Sequence, residues 1–126
     1  MKKIKLFEDY FLNESTVPSR DEMMRLISIK FPNIWLKKSE DFYKDKSKNT
    51  GIWTGSEGST FVDNDKKIPA FNLAGSYGYN ILHSPGKKKI YIEEVHFKLY
   101  NFLKENGWYA EPYDAGTVFL YPINNK

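Results

Sequence analysis

The segment IYIEEVHFKLYNFLKENGWYAEPYDAGTVFLYP, residues 90–122, limits what this chain can become more than any other stretch. Within residues 91–106 the apolar positions Ile92, Val95, Leu99, Phe102 and Leu103 follow the spacing of one helical face. Glu93, Glu94, Lys98, Asn101, Lys104 and Glu105 gather mostly on the other side. Glu94 precedes Lys98 by one helical turn, the favourable order for an ion pair. Glu93 and Glu94 lie toward the positive end of such a helix and Lys104 toward its negative end. Gly107 stands where helices end in a left-handed residue. The pattern predicts a helix over 91–106 that stops at Gly107.

Two strands are expected next. Over 108–112, Trp108 and Ala110 share one face, and Tyr109 and Glu111 share the other. Pro112 has no N–H to donate, so this strand lies at an edge or ends there. Tyr113-Asp114-Ala115-Gly116 has turn composition. Residues 117–121 are β-branched and aromatic, with Val118 and Leu120 opposite Thr117, Phe119 and Tyr121. Both faces of that strand carry enough apolar surface to be covered.

Everything upstream must stack against this unit. Ser19 and Glu22 have capping-box spacing and open a second helix. Its stripe is Met23, Leu26, Ile27 and Phe31, with Met24 and Ile29 at the flanks and Pro32 as the stop. Ser39 is a candidate cap for a short helix over 39–43, and the polar run KDKSKNT, residues 44–50, is an expected exposed loop. Residues 3–7 predict a short first strand, 34–36 a strand or a turn of helix, and 51–54 a strand start. Residues 60–62 and 68–71 suggest hairpin arms around 63–67. Residues 80–83 are expected to be extended, before the turn signal Ser84-Pro85-Gly86. The expected architecture is α+β. An antiparallel sheet carries two main helices packed mainly on one face, and the C-terminal helix is followed by a β-hairpin. The opposite sheet face would then be partly aromatic and exposed, or paired across a homodimer.

With 126 residues, one compact domain over 1–126 is expected. At this size folding buries roughly two-thirds of the unfolded surface. Nine Tyr, nine Phe and three Trp can build a core without metals or disulfides. Cysteine is absent, which excludes disulfides and thiolate metal sites. No apolar run reaches the ~18 residues of a membrane span. Glu8 and Asp9 interrupt the basic start before it resembles the apolar region of a secretory signal. A cytoplasmic protein without membrane contact is expected. Residues 1–50 hold 11 basic and 8 acidic side chains, whereas 51–126 hold 8 of each. An excess this modest and well mixed does not require a nucleic-acid partner.

The candidate sites are weak as motifs. Residues 55–59, GSEGS, have the glycines of an anion loop, but Thr60-Phe61-Val62 follows as strand and no lysine closes the loop. A plain turn fits best, and Trp53 and Glu57 make it a candidate contact loop whose small residues permit close approach. Asp63, Asn64 and Asp65 lack the glycine and distant glutamate of a calcium loop, and Lys66 and Lys67 oppose a cation. His96 has Ile92 and Tyr100 four residues away, neither a metal ligand, and His83 before Ser84-Pro85-Gly86 reads as a loop residue with a catalytic role as the alternative. No metal or cofactor is expected. Glu111 and Asp114 form the best acidic pair, beside Tyr109 and Tyr113. A cleft holding both carboxylates would suit sugar binding or acid–base work. The competing reading is an exposed strand glutamate and a turn-forming aspartate. Lys44, Lys46, Lys48, Lys66, Lys67 and Lys87 to Lys89, with aromatic neighbours, would suit single-stranded nucleic acid. Glu93 and Glu94 weaken that field.

No motif specifies a reaction, and no catalytic residue is assigned. The expected function is a small non-enzymatic binding protein acting on another macromolecule, with another protein as its partner. Trp35, Trp53, Trp108, Tyr109 and Tyr113 are the aromatic anchors. The candidate binding set is Trp53, Glu57, Trp108, Tyr109, Glu111, Tyr113 and Asp114. One alternative is a hydrolase-like or ligand-binding enzyme combining Trp53, Glu57, His83, Glu111 and Asp114. The other is a single-stranded nucleic-acid binding protein.

Overall fold

The computed structural model describes residues 17–63, 65–73 and 90–123. The expected strand over 3–7, the extended segment 80–83 with His83, the Ser84-Pro85-Gly86 turn and Lys87 to Lys89 lie outside them. The elements are α1 (Arg20–Lys30), β1 (Lys37–Lys38), α2 (Ser39–Tyr43), β2 (Ile52–Gly55), β3 (Thr60–Asp63), β4 (Lys66–Pro69), β5 (Tyr91–Ile92), β6 (Val95–His96), α3 (Phe97–Glu105), β7 (Trp108–Pro112) and β8 (Thr117–Pro122). The fold is α+β, with an antiparallel sheet of order β1-β2-β8-β7.

Register decides which side chains meet the two main helices. Ile52 and Ala110 flank Leu120, while Thr54 and Pro112 flank Val118. Ile52, Leu120, Val118 and Trp108 share one core with Met23 and Ile27 of α1, Phe31 just after it, and Leu99 and Leu103 of α3. Burying each such side chain contributes about 1.5–3 kcal/mol before entropy is counted. Trp108 is a core residue whose indole Nε1 donates to the Pro18 carbonyl at 3.1 Å. Val17 packs over Gly107, whose φ of +77° ends α3 as the sequence predicts. The start of α1 is thereby pinned to the start of β7.

α1 begins as expected, with Ser19 Oγ accepting from the Glu22 amide at 3.2 Å. Only half of the capping box forms, because the Glu22 carboxylate turns to Arg25 and is held below its ordinary range by that guanidinium. Ser39 also departs from expectation. It does not cap α2; its hydroxyl donates to Lys48 O and accepts from Gly51 N at 3.1 Å, tying the 44–50 loop shut from a buried position.

The larger correction concerns 91–96. The helix begins only at Phe97, and the residues before it form the β5–β6 hairpin, pairing Tyr91 with His96 and Ile92 with Val95. Glu93 and Glu94 occupy its two-residue turn with φ of 52° and 73°. Positive φ at both central residues matches the twist of a tight hairpin. Distant backbone pairing outweighs helical periodicity here. His96 N donates to Ala70 O at 2.8 Å, Asn72 N to Glu94 O at 2.9 Å, and Val95 bridges to Phe71. The expected dipole role of Glu93 and Glu94 therefore does not arise. His96 caps α3 instead, its Nδ1 accepting from Lys98 N at 3.1 Å. The β3–β4 hairpin is also tighter than expected, pairing Asp63 with Lys66, and Asp65 adopts φ of 66°. Among the described residues no helix is long and apolar enough to cross a membrane.

Candidate functional site

The second face of the sheet carries a separate aromatic cluster. Its origin is the strand alternation that sends Val118 and Leu120 to the helices and Phe119 and Tyr121 the other way. Register then lays Lys37, Trp53, Phe119 and Glu111 across the four strands in one row, and sets Tyr109 beside Tyr121. Phe119 is only 2% exposed. Phe42 and Tyr43, brought in by α2, each lie 5.2 Å from it between ring centroids, the first edge-on and the second stacked. Tyr113 meets Phe119 edge-on at 5.6 Å. Phe42 reaches Trp53 at 5.1 Å, and Trp53 meets Trp35 at 5.6 Å with the planes near perpendicular. Edge-to-face pairs of this kind are worth about 0.5–1.5 kcal/mol beyond area burial. The perimeter remains open: Tyr113 is 54% and Tyr109 38% exposed, and Trp35, Phe42, Tyr43, Trp53 and Tyr121 are half-buried.

Charge rims the rings. Lys37 Nζ sits 5.3 Å from the Trp53 ring and 5.7 Å from Trp35, and Lys48 Nζ sits 5.6 Å from Tyr43. Burial, then the nearby Tyr43, pushes the Tyr121 phenol up to about 12. Burial, followed by the charge of Glu111, raises Tyr109 as well. α2 is held in place from below. Arg20 forks onto both Glu40 oxygens, at 2.5 and 3.0 Å, and also donates to Gly51 O at 3.3 Å. The guanidinium holds the Glu40 carboxyl down at about 2.

The 55–59 turn serves this cluster. Trp35 N donates to Ser59 Oγ at 3.3 Å, Thr54 Oγ1 donates to Trp35 O at 2.7 Å, and Trp35 Nε1 donates to Glu57 O at 2.8 Å. Gly58, at φ of +87°, leaves room for the indole edge. The close approach that the small residues suggested is thus made by Trp35 of the same chain. The turn also adjoins residues 113–116, since Ser56 N donates to Gly116 O at 3.3 Å.

Of the candidate binding set, Trp53, Tyr109, Glu111 and Tyr113 share this sheet face, and Glu57 and Asp114 lie on the two adjoining turns. Trp108 faces the helices instead. Asp114 Oδ1 accepts from Gly116 N at 3.0 Å, a bond that holds its carboxyl below the usual range. His83 of the hydrolase-like set lies outside the described residues. His96 is buried, stacked 4.0 Å from Phe61. Sequence reasoning missed Phe42, Tyr43, Phe119, Tyr121 and Lys37 as members of the cluster. The alternation of Phe119 and Tyr121 was its visible signal. Lys37, Lys38 and Lys46 line one open depression of about 630 Å³ together with Glu40 and Asp41, a field of mixed sign. Among the described residues no three His, Asp or Glu are grouped so as to hold a metal ion. No family model, curated protein or solved structure matches the chain.

Proposed function

We propose that the chain is a small non-enzymatic binding domain that docks another protein on the aromatic face of its sheet. The observation that carries this reading is the half-exposed ring perimeter ordered around buried Phe119. Rings already fixed by their neighbours lose little entropy when a partner covers them, which is what an interface anchor needs. Lys37, Lys48 and Glu111 supply a polar rim around an apolar centre. The test places a photo-reactive side chain at Tyr113, with Ile29 on the far side of α1 as control, and compares the covalent adducts formed in extract. A single stoichiometric protein adduct at Tyr113, absent at Ile29 and reduced at least tenfold by Trp53→Ala in a folded protein, is the expected result. Equal labelling at both positions would overturn the proposal.

The lysines over Trp35, Trp53 and Tyr43 favour a second reading, single-stranded nucleic acid stacked on the rings. A titration with an oligothymidylate, followed by tryptophan fluorescence, separates the two. Affinity that falls steeply with added salt would support the nucleic-acid reading, and salt-independent or absent binding would remove it.

A further inference from the structure

Among the described residues β7 ends the sheet, and the direction of its amides follows from the two ends of its ladder. Ile123 N donates to Gly107 O at 2.7 Å, and Tyr113 N donates to Thr117 O at 2.8 Å. Antiparallel partners exchange bonds at every second residue. Tyr109 and Glu111 therefore bond to β8, and Trp108, Ala110 and Pro112 turn their backbone groups outward. The bond from Ser56 N to Gly116 O agrees, since it assigns the even residues of β8 to β2. Pro112 has no N–H, so the outward edge offers donors at Trp108 and Ala110. Two donors two residues apart lie ~6.8 Å from each other, the spacing of an added strand.

A cavity of about 180 Å³ runs beside these residues, walled by Tyr100 and Leu103 of α3, with Lys104 and Glu93 among its lining. Lys104 and Glu93 make no ion pair among the described residues. The opposite sheet edge, β1, is two lysines long, a length and charge that discourage pairing. β7 has five residues, and a helix stands along it as a wall.

We propose that this groove takes an extended peptide segment of another protein, added to β7 as a fifth strand. Main-chain bonds to Trp108 and Ala110 set its register, one branched aliphatic side chain fills the space against Tyr100 and Leu103, and an acidic side chain meets Lys104. Backbone pairing supplies affinity and the side-chain pocket supplies selectivity. The groove adjoins the aromatic face at Tyr109, which lines both, and the proposal stands whether or not that face binds a protein.

The test uses the full chain, isotope-labelled, and an acetylated decapeptide that alternates valine with threonine and carries one glutamate. Hydrogen exchange at the Trp108 and Ala110 amides is expected to slow at least tenfold on adding the peptide, with resonance shifts at Tyr100 and Leu103. Lys104→Glu, a surface change, is expected to weaken this peptide at least tenfold and to favour the version carrying lysine instead. Four results would overturn the proposal. The peptide does not bind. The two amides are already protected without it, so that another part of the chain covers the edge. Their protection grows with protein concentration alone, so that a second copy covers it. Or the shifts fall on Trp53 and Tyr113 instead.

Discussion

Gly55 and Gly116 face each other across the ends of β2 and β8, and exchanging each for alanine separates two effects that sequence alone treats as equal. A Cβ built on Gly55 falls under 3.0 Å from the Gly116 carbonyl oxygen and 3.0 Å from Trp35 Cζ2. Backbone cannot yield as the far end of a side chain does, so the strand ends must part or the Trp35 seat must shift. Overpacking of this kind costs about 1–3 kcal/mol. The lost freedom of the unfolded chain returns only about 0.4–1 kcal/mol. A Cβ on Gly116 meets nothing within 4 Å. Gly116→Ala therefore keeps the entropic gain without the clash, and the two variants should differ by roughly 1–3 kcal/mol. With a urea slope of about 1–3 kcal/mol per molar, the midpoints should lie on the order of 1 M apart. Tryptophan fluorescence during urea unfolding reads this directly, and Gly55→Ala should also redden or broaden the native emission by disturbing Trp35. Equal midpoints, or a weaker Gly116→Ala, would refute the reasoning.

Leu99→Ala empties a fully buried position between α3 and the sheet and should cost about 2–5 kcal/mol in the same assay. Glu40 has its carboxyl depressed from 4.5 to about 2 by Arg20, so the stability it adds is fully present above 4.5 and is lost as pH falls through about 2. Unfolding midpoints of the native protein and Glu40→Gln should differ at pH 6 and converge near pH 2; a constant gap across that range would contradict the ion pair's role. The Tyr121 phenol, raised from 10.0 to about 12, should appear as a late step in an ultraviolet titration and vanish in Tyr121→Phe. Because its neutral form is favoured by folding, its contribution is complete below pH 10 and fades as pH rises through about 12.

Local chemistry was legible, and distant pairing was not. Ser19, Pro32 and Gly107 mark ends of helices through contacts within a few residues, and all three hold in the structure. β7 and β8 pair across a short turn, so their hairpin could be read from alternation and from Asp114 and Gly116. The segment 91–96 failed because the spacing of Ile92 and Val95 suits both a helical face and a two-residue hairpin. Val95's bridge to Phe71, far upstream in the chain, decided between them. The aromatic face was visible in part. Alternation places Tyr109, Glu111 and Tyr113 together, but Phe119 becomes the centre only when β2 sets Trp53 beside it. Trp108 carries the same side-chain type as Trp53 and goes to the opposite layer. Strand parity, not residue type, separates them.

Pro112 acts as a lock on alignment. β8 carries aliphatic side chains on one face and aromatic ones on the other, so its own composition sets the alignment only weakly. A slide that turned β7 over would take Trp108 out of the core and bring Glu111 into it, so burial already resists the error. It would also bring Pro112 around to meet β8 at a point where an amide hydrogen is required. The misaligned ribbon would carry a missing bond at its end, and the imino ring thus proofreads the pairing that determines which face receives Trp108 and which receives Tyr109.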